Sequence, residues 1–314
     1  MASQPLRQPA RAPLLDRRRF VSLASLGVVG VTPRTQAQGA PRRAIPRSGG
    51  ASVPVVGMGS WLTFDVPVGD LAQRTQRKQV LQRFFAAGGG MIDSSPMYGR
   101  AERLIGELLS EVEHAGKLYS ATKIWTPFDR FGPGQLDASL QLWRVPQLDL
   151  VLVHNLLNWT AHLKLLRRAK DHGRVRAIVI SSSHGRDHDL VQRLIRDEAL
   201  DAIQITYNFA DTSAEPAMNL AAERGLAVVI NRPFDGGSLF GRVGRRGLPG
   251  WAAEFDCANW AQFFLKWVLS HPAVTCAIPA TTSPAHMDQN MGAGLGRWPD
   301  AAQRERMHAF IAAL

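Results

Sequence analysis

Four side chains in this 314-residue chain have the types and spacing to work together. Asp93 closes the apolar run Met91–Asp93, and Tyr98 follows five residues later. Lys123 closes Leu118–Lys123, and His154 closes Leu148–His154. Taken singly, each has an ordinary explanation: an Asp after a strand often caps a helix, and a lone Lys, His or Tyr says little. As a set they make a proton-delivery system. A free phenol has a pKa of about 10, and a nearby ammonium favours its ionised form and brings the acid closer to neutral conditions. Lys123 would supply that charge. Asp93 would hold Lys123 and keep it protonated in a poorly solvated place. His154 would orient a carbonyl oxygen and steady the negative charge growing on it. Hydride itself must come from a cofactor.

Elements that could bring these residues to one place are visible in the pattern from about residue 52. Eight short apolar runs recur: Val55–Gly59, Met91–Asp93, Leu118–Lys123, Leu148–His154, Val175–Ser181, Ala202–Ile205, Ala227–Ile230 and Val274–Ile278. Helix-like stretches separate them, with faces such as Val80-Leu81-Phe84-Phe85, Leu104-Ile105-Leu108-Leu109, Leu163-Leu166 and Phe263-Phe264-Trp267-Val268. Glycines at 88–90, 116, 173 and 225 mark helix ends. Most runs lack strict alternation, as strands covered on both faces do. Eight βα units in one chain predict a (β/α)8 TIM barrel over residues 52–314, whose chemistry sits at the C-terminal ends of the strands. The segment Arg232–Asp256 is expected as a mobile loop on that face, and 299–313 as a final helix.

Composition is that of a globular protein, 45% hydrophobic and 20% charged. The net charge of +11 is misleading. Arg7, Arg11, Arg17, Arg18, Arg19 and Arg34, against Asp16 alone, put a large share of it in the first 37 residues. No basic stripe interleaved with aromatics follows, which argues against nucleic acid as a partner. Cys257 and Cys276 give no disulfide framework, and no metal is expected in the site. Asp16-Arg17-Arg18-Arg19-Phe20-Val21 resembles a twin-arginine (Tat) export signal, though with an acidic residue before the pair and no Lys after Val21. Val21 to Val31 is apolar but too short to span a bilayer, so stable membrane insertion is not expected. Thr35-Gln36-Ala37 suits cleavage. Residues 1–37 are therefore expected to be a signal peptide and 38–51 a flexible lead-in. The Tat export machinery would be a partner and the periplasm the destination, or the cytoplasm if the signal does not function.

The segment Asp93-Ser-Ser-Pro-Met-Tyr98-Gly99-Arg-Ala-Glu102, with Ala121-Thr-Lys123 and Leu152-Val-His154, resembles the hallmark segments of the aldo-keto reductase family. The resemblance covers essentially everything after the leader. It implies the catalytic tetrad Asp93, Tyr98, Lys123 and His154, a small-molecule carbonyl substrate, and NADP as cofactor with NAD as the alternative. That family has no glycine-rich dinucleotide loop, and none is found here. Its cofactor positions carry over to Gly59, Ser60 and Trp61 after the first strand, to Asp93, and to Ser181 and Gln204 for the carboxamide. Arg232, Pro233 and Phe234 would lie beneath the pyrophosphate, and Thr281, His286, Gln289 and Asn290 beside the adenosine phosphate. Departures are Ser182 for a common Asn, Asn231 for a stacking Tyr, and Ala280 and His286 for the cations many members place on the 2′-phosphate. The last two should weaken the preference for NADP over NAD. Trp61, Phe128 and Trp159 are candidates for the substrate wall. The alternative reading is an exported cofactor-binding sensor or interaction protein on the same scaffold, with little turnover.

Overall fold

A computed structural model describes residues 41–114 and 116–314. The leader expected over residues 1–37 lies outside the described residues. Eight parallel strands form one sheet: β3 (Met58–Gly59), β4 (Met91–Asp93), β5 (Tyr119–Ile124), β6 (Leu148–Val153), β7 (Val175–Ser181), β8 (Ala202–Thr206), β9 (Ala227–Asn231) and β10 (Cys276–Ala277). Each pairs with the next in sequence order. The seam closes where Val56 meets Ala277 and Gly59 meets Ala280. Gly59 is required there, because a Cβ would stand 2.9 Å from the carbonyl oxygen of Ile278.

Helices follow the strands: α1 (Leu71–Ala86), α2 (Ala101–Leu109), α3 (Gly132–Trp143), α4 (Trp159–Asp171), α5 (His188–Asp197), α6 (Glu215–Glu223), α7 (Ser238–Val243), α8 (Trp260–Leu269), α9 (Pro284–Gly292) and α10 (Ala301–Ala312). The fold is the (β/α)8 barrel. Among the described residues, no helix is long and apolar enough to cross a membrane.

Successive strand residues point to opposite faces, and this period organises two cores. Outward residues Ile92, Val151, Val153, Ile178, Ile180, Ile203, Ile205, Val228 and Ile230 are buried in one cluster with the apolar helix faces. Each contributes roughly 1.5–3 kcal/mol by leaving water. Inward residues Met91, Ala121, Leu150, Leu152, Ala177, Val179, Ala202, Ala227 and Val229 form a second cluster inside the barrel. The next inward positions in the same columns are Asp93, Lys123, His154, Ser181, Gln204 and Asn231. Each column is therefore apolar below and polar at its C-terminal end.

Residues 41–51 depart from the expected flexible lead-in. β1 (Arg42–Ala44) pairs antiparallel with β2 (Ser52–Pro54), and Ile45 and Val53 are fully buried in the inner cluster. Arg43 donates to the carbonyl of Leu269 at 2.9 Å and to that of Val274, and Arg47 to that of Leu200 at 3.0 Å. These carbonyls precede strands, so the hairpin plugs the N-terminal end of the barrel. Three-residue strands beside arginines carry too little pattern to be read as a plug.

The segment Arg232–Asp256 is also more built than the expected mobile loop. It holds α7 and two 3-10 turns, Asp235–Gly237 and Gly250–Phe255, and it buries Leu239, Val243, Ala252 and Phe255. A six-residue helix is too short to show periodicity. The far end is tied by Lys266 of α8, whose buried Nζ donates to the carbonyls of Phe255 (2.8 Å), Leu295 (2.7 Å) and Arg297 (2.9 Å).

Candidate active site

At the C-terminal mouth a cavity of about 450 Å³ opens over the polar ends of the inner columns. Asp93, Tyr98 and His154 line it, and Lys123 lies just beneath, with its side chain 1% exposed. The structure thus brings all four proposed tetrad residues together. Lys123 Nζ donates to both carboxylate oxygens of Asp93, at 2.7 and 2.6 Å, and to the carbonyl of Ser94 at 2.8 Å. It stands 5.1 Å from the centroid of the Tyr98 ring. The Tyr98 and His154 rings meet edge to face with centroids 5.9 Å apart.

Why Tyr98 sits there is local. Ser95 and Tyr98 close a turn through the Tyr98 N–H to the Ser95 carbonyl, 2.9 Å, with Pro96 at the position that favours its fixed φ. Gly99 continues at φ +61, and a Cβ there would stand 2.5 Å from the Asp65 carboxylate. That carboxylate accepts from the Arg100 N–H at 3.0 Å. Glu102, at the start of α2, is buried and accepts from Thr122 Oγ1 (2.6 Å) and Trp143 Nε1 (2.9 Å). Because Thr122 precedes Lys123, Glu102 ties the tyrosine loop to the lysine strand.

Lys123 does pull the Tyr98 pKa down, as expected, but burial raises it by more and Asp93 adds to the rise, so the phenol is held above its ordinary value. For Lys123, burial disfavours the charge, but Asp93 and the phenol outweigh it and raise its pKa. Burial, helped by the charge of Lys123, pushes His154 down to about 3, so its ring is neutral.

The proposed cofactor positions divide. Gly59, Ser60, Trp61, Ser181, Gln204, Arg232, Pro233 and Phe234 all line the cavity. Thr281, His286, Gln289 and Asn290 do not. His286 is exposed in the first turn of α9, Asn290 is buried on that helix, and Thr281 accepts from the Ser283 N–H at 3.1 Å. Gln204 donates from Nε2 to Asp93 Oδ1 at 2.8 Å, which couples it directly to the lysine pair. Two departures touch each other: Asn231 donates from Nδ2 to the Ser182 carbonyl at 3.1 Å and accepts from Thr206 Oγ1 at 2.6 Å. Of the three aromatic wall candidates only Trp61 reaches the cavity. Phe128 is exposed against Phe131, and Trp159 packs on the outer core. Sequence reading missed Met97, Asn155, His184, Arg186 and Phe240 in the lining. Met97 and Asn155 adjoin tetrad residues, which was the available signal.

A closed parallel barrel with a buried lysine–carboxylate pair under a phenol at its mouth defines a class of oxidoreductase. Residues 55–302 match the Aldo/keto reductase family, and the chain belongs to that family. Among solved structures it is similar to aldo-keto reductase AKR11C1 from Bacillus halodurans in its holo form, with 18% identity, TM-score 0.69, and coverage of 86% of this chain and 96% of that one. An aldo/keto reductase from Klebsiella pneumoniae in complex with NADP and acetate gives 19% identity, TM-score 0.69 and the same coverages. The thermostable aldo-keto reductase Tm1743, in complex with the inhibitor epalrestat, gives 20% identity and TM-score 0.71, covering 86% and 99%. No curated protein matches the chain.

Proposed function

We propose that the protein reduces aldehydes or ketones to alcohols with NADPH, NADH being the second choice, and that Tyr98 gives the proton. The observation that carries this reading is a phenol at the cavity wall with a buried ammonium 5.1 Å from its ring centroid. The residues present suit an anionic dinucleotide. Arg232 Nε is buried without a partner beside the cavity, and Gly236 and Gly237, both at positive φ, line it without side chains in the way. Ser60, Ser181 and Gln204 would hold the nicotinamide end, and the Arg232–Phe234 segment the pyrophosphate. The Klebsiella neighbour, described with NADP, supports the same choice.

When bound, the reduced nicotinamide supplies hydride to the carbonyl carbon, so that one carbonyl, one NADPH and one proton give one alcohol and one NADP+. The chain's own residues do the rest. Tyr98 Oη releases its proton to the carbonyl oxygen. Its raised pKa keeps it protonated through the neutral range. Lys123 steadies the phenolate that is left, and Asp93 keeps Lys123 charged. His154, neutral, donates to the oxygen and orients it.

NADPH oxidation across a panel of carbonyls tests the proposal. Tyr98→Phe should lower turnover by at least about 100-fold while nucleotide affinity stays unchanged. Full turnover by that variant, or no carbonyl reduced by the parent, would overturn it. Placement outside the cytoplasm is carried by the leader alone, and cell fractionation tests it.

A further inference from the structure

We infer that Ser95 is a positioning residue that fixes the tautomer of His154, placing the ring proton on Nε2. The inference takes its chemical purpose from the carbonyl-reduction reading, but its geometry stands apart from it.

Ser95 is fully buried. Its Oγ has two partners, the Met97 N–H at 3.2 Å and His154 Nδ1 at 3.1 Å. A serine hydroxyl carries one proton and two lone pairs. The Met97 N–H can only donate, so it occupies a lone pair and cannot receive the Ser95 proton. The one acceptor in reach is Nδ1. Were Nδ1 protonated, Oγ would face two donors and its own O–H would be buried with nothing to receive it, which folded proteins avoid. The satisfied arrangement has Ser95 donating to a bare Nδ1. In the neutral ring the proton then lies on Nε2, the nitrogen free to serve the cavity that His154 lines.

The consequence is chemical. A carbonyl oxygen needs a donor as charge grows on it, and the other tautomer would present a lone pair instead. Neutrality of the ring, favoured by burial and by Lys123, makes the choice of tautomer matter. The device is economical in sequence, because the turn Ser95–Tyr98 carries both the proposed proton donor and the hydroxyl that aims its helper. The Met97 N–H, donating to Ser95 Oγ at 3.2 Å, fixes the hydroxyl.

Nitrogen-15 NMR of the histidine rings tests this directly, with the His154 signals assigned by their loss in His154→Asn. The parent should show a protonated Nε2 and a bare Nδ1. Ser95→Ala should shift population to the Nδ1 proton, and Ser95→Thr should keep the parent pattern. In turnover, Ser95→Ala should lose up to about ten-fold in kcat, the worth of one hydrogen bond, with nucleotide affinity unchanged, and Ser95→Thr should recover most of it. A proton on Nδ1 in the parent, or an unchanged tautomer and kcat in Ser95→Ala, overturns the inference. If Ser95→Ala does not fold, the parent spectrum and the Thr variant decide. If the parent reduces no carbonyl, the functional reading fails while the spectrum still judges the tautomer.

Discussion

The two ends of the barrel are made from the same eight strands and do opposite work. At the N-terminal end Met91, Ala202 and Ala227 share one apolar cluster with Ile45 and Val53 of the plugging hairpin. At the C-terminal end the same columns finish in Asp93, Gln204 and Asn231. On β4 the two regimes are two residues apart, about 7 Å of strand. The dry floor makes the mouth unusual. Lys123 is almost wholly buried and is neutralised by Asp93, and the same burial lifts the Tyr98 phenol and empties the His154 ring of its second proton.

The sharpest way to break this contrast is Asp93→Asn. It leaves a buried ammonium uncompensated and should cost about 3–5 kcal/mol of stability, together with turnover. Denaturant unfolding and NADPH oxidation measure both, and an unchanged midpoint would mean that the floor is wetter than described. Next is Ile45→Ala at the closed end. It should cost about 2–4 kcal/mol through the cavity it leaves, with kcat intact at temperatures where the variant stays folded. A fall in kcat would show that the plug shapes the mouth as well as the floor. The smallest effect concerns pH. His154 titrates near 3 in the fold and near 6.5 when unfolded. Between those values the unfolded chain takes up a proton that the fold refuses, so His154 contributes stability above pH 6.5 that is lost as the pH falls toward 3. His154→Asn should flatten that part of a Tm–pH curve, and an unaltered slope would place the imidazole in contact with water.

Much of the mouth could be read from residues alone because each polar tip interrupts an apolar run. Asp93, Lys123 and His154 announce themselves as the last members of Met91–Asp93, Leu118–Lys123 and Leu148–His154. The inward columns themselves were invisible, since Ile178 facing helices and Val179 facing the axis look alike in sequence. The hairpin escaped for a different reason. Ile45 is one apolar residue among arginines, and only the tertiary position of its side chain gives it weight. Ser95 was passed over because a serine beside a proline reads as a turn. The sign of the Tyr98 shift could not be read either, because it depends on how burial, Lys123 and Asp93 balance in three dimensions.

Lys266 gives the segment after β9 the mechanics of a cantilever. Its root is bolted where one ammonium gathers three carbonyls, while Gly236, Gly237 and Gly244, all at positive φ, lie along its span. Any bending of such a beam would fall at its glycine joints, with the anchored root and its buried Phe255 left undisturbed.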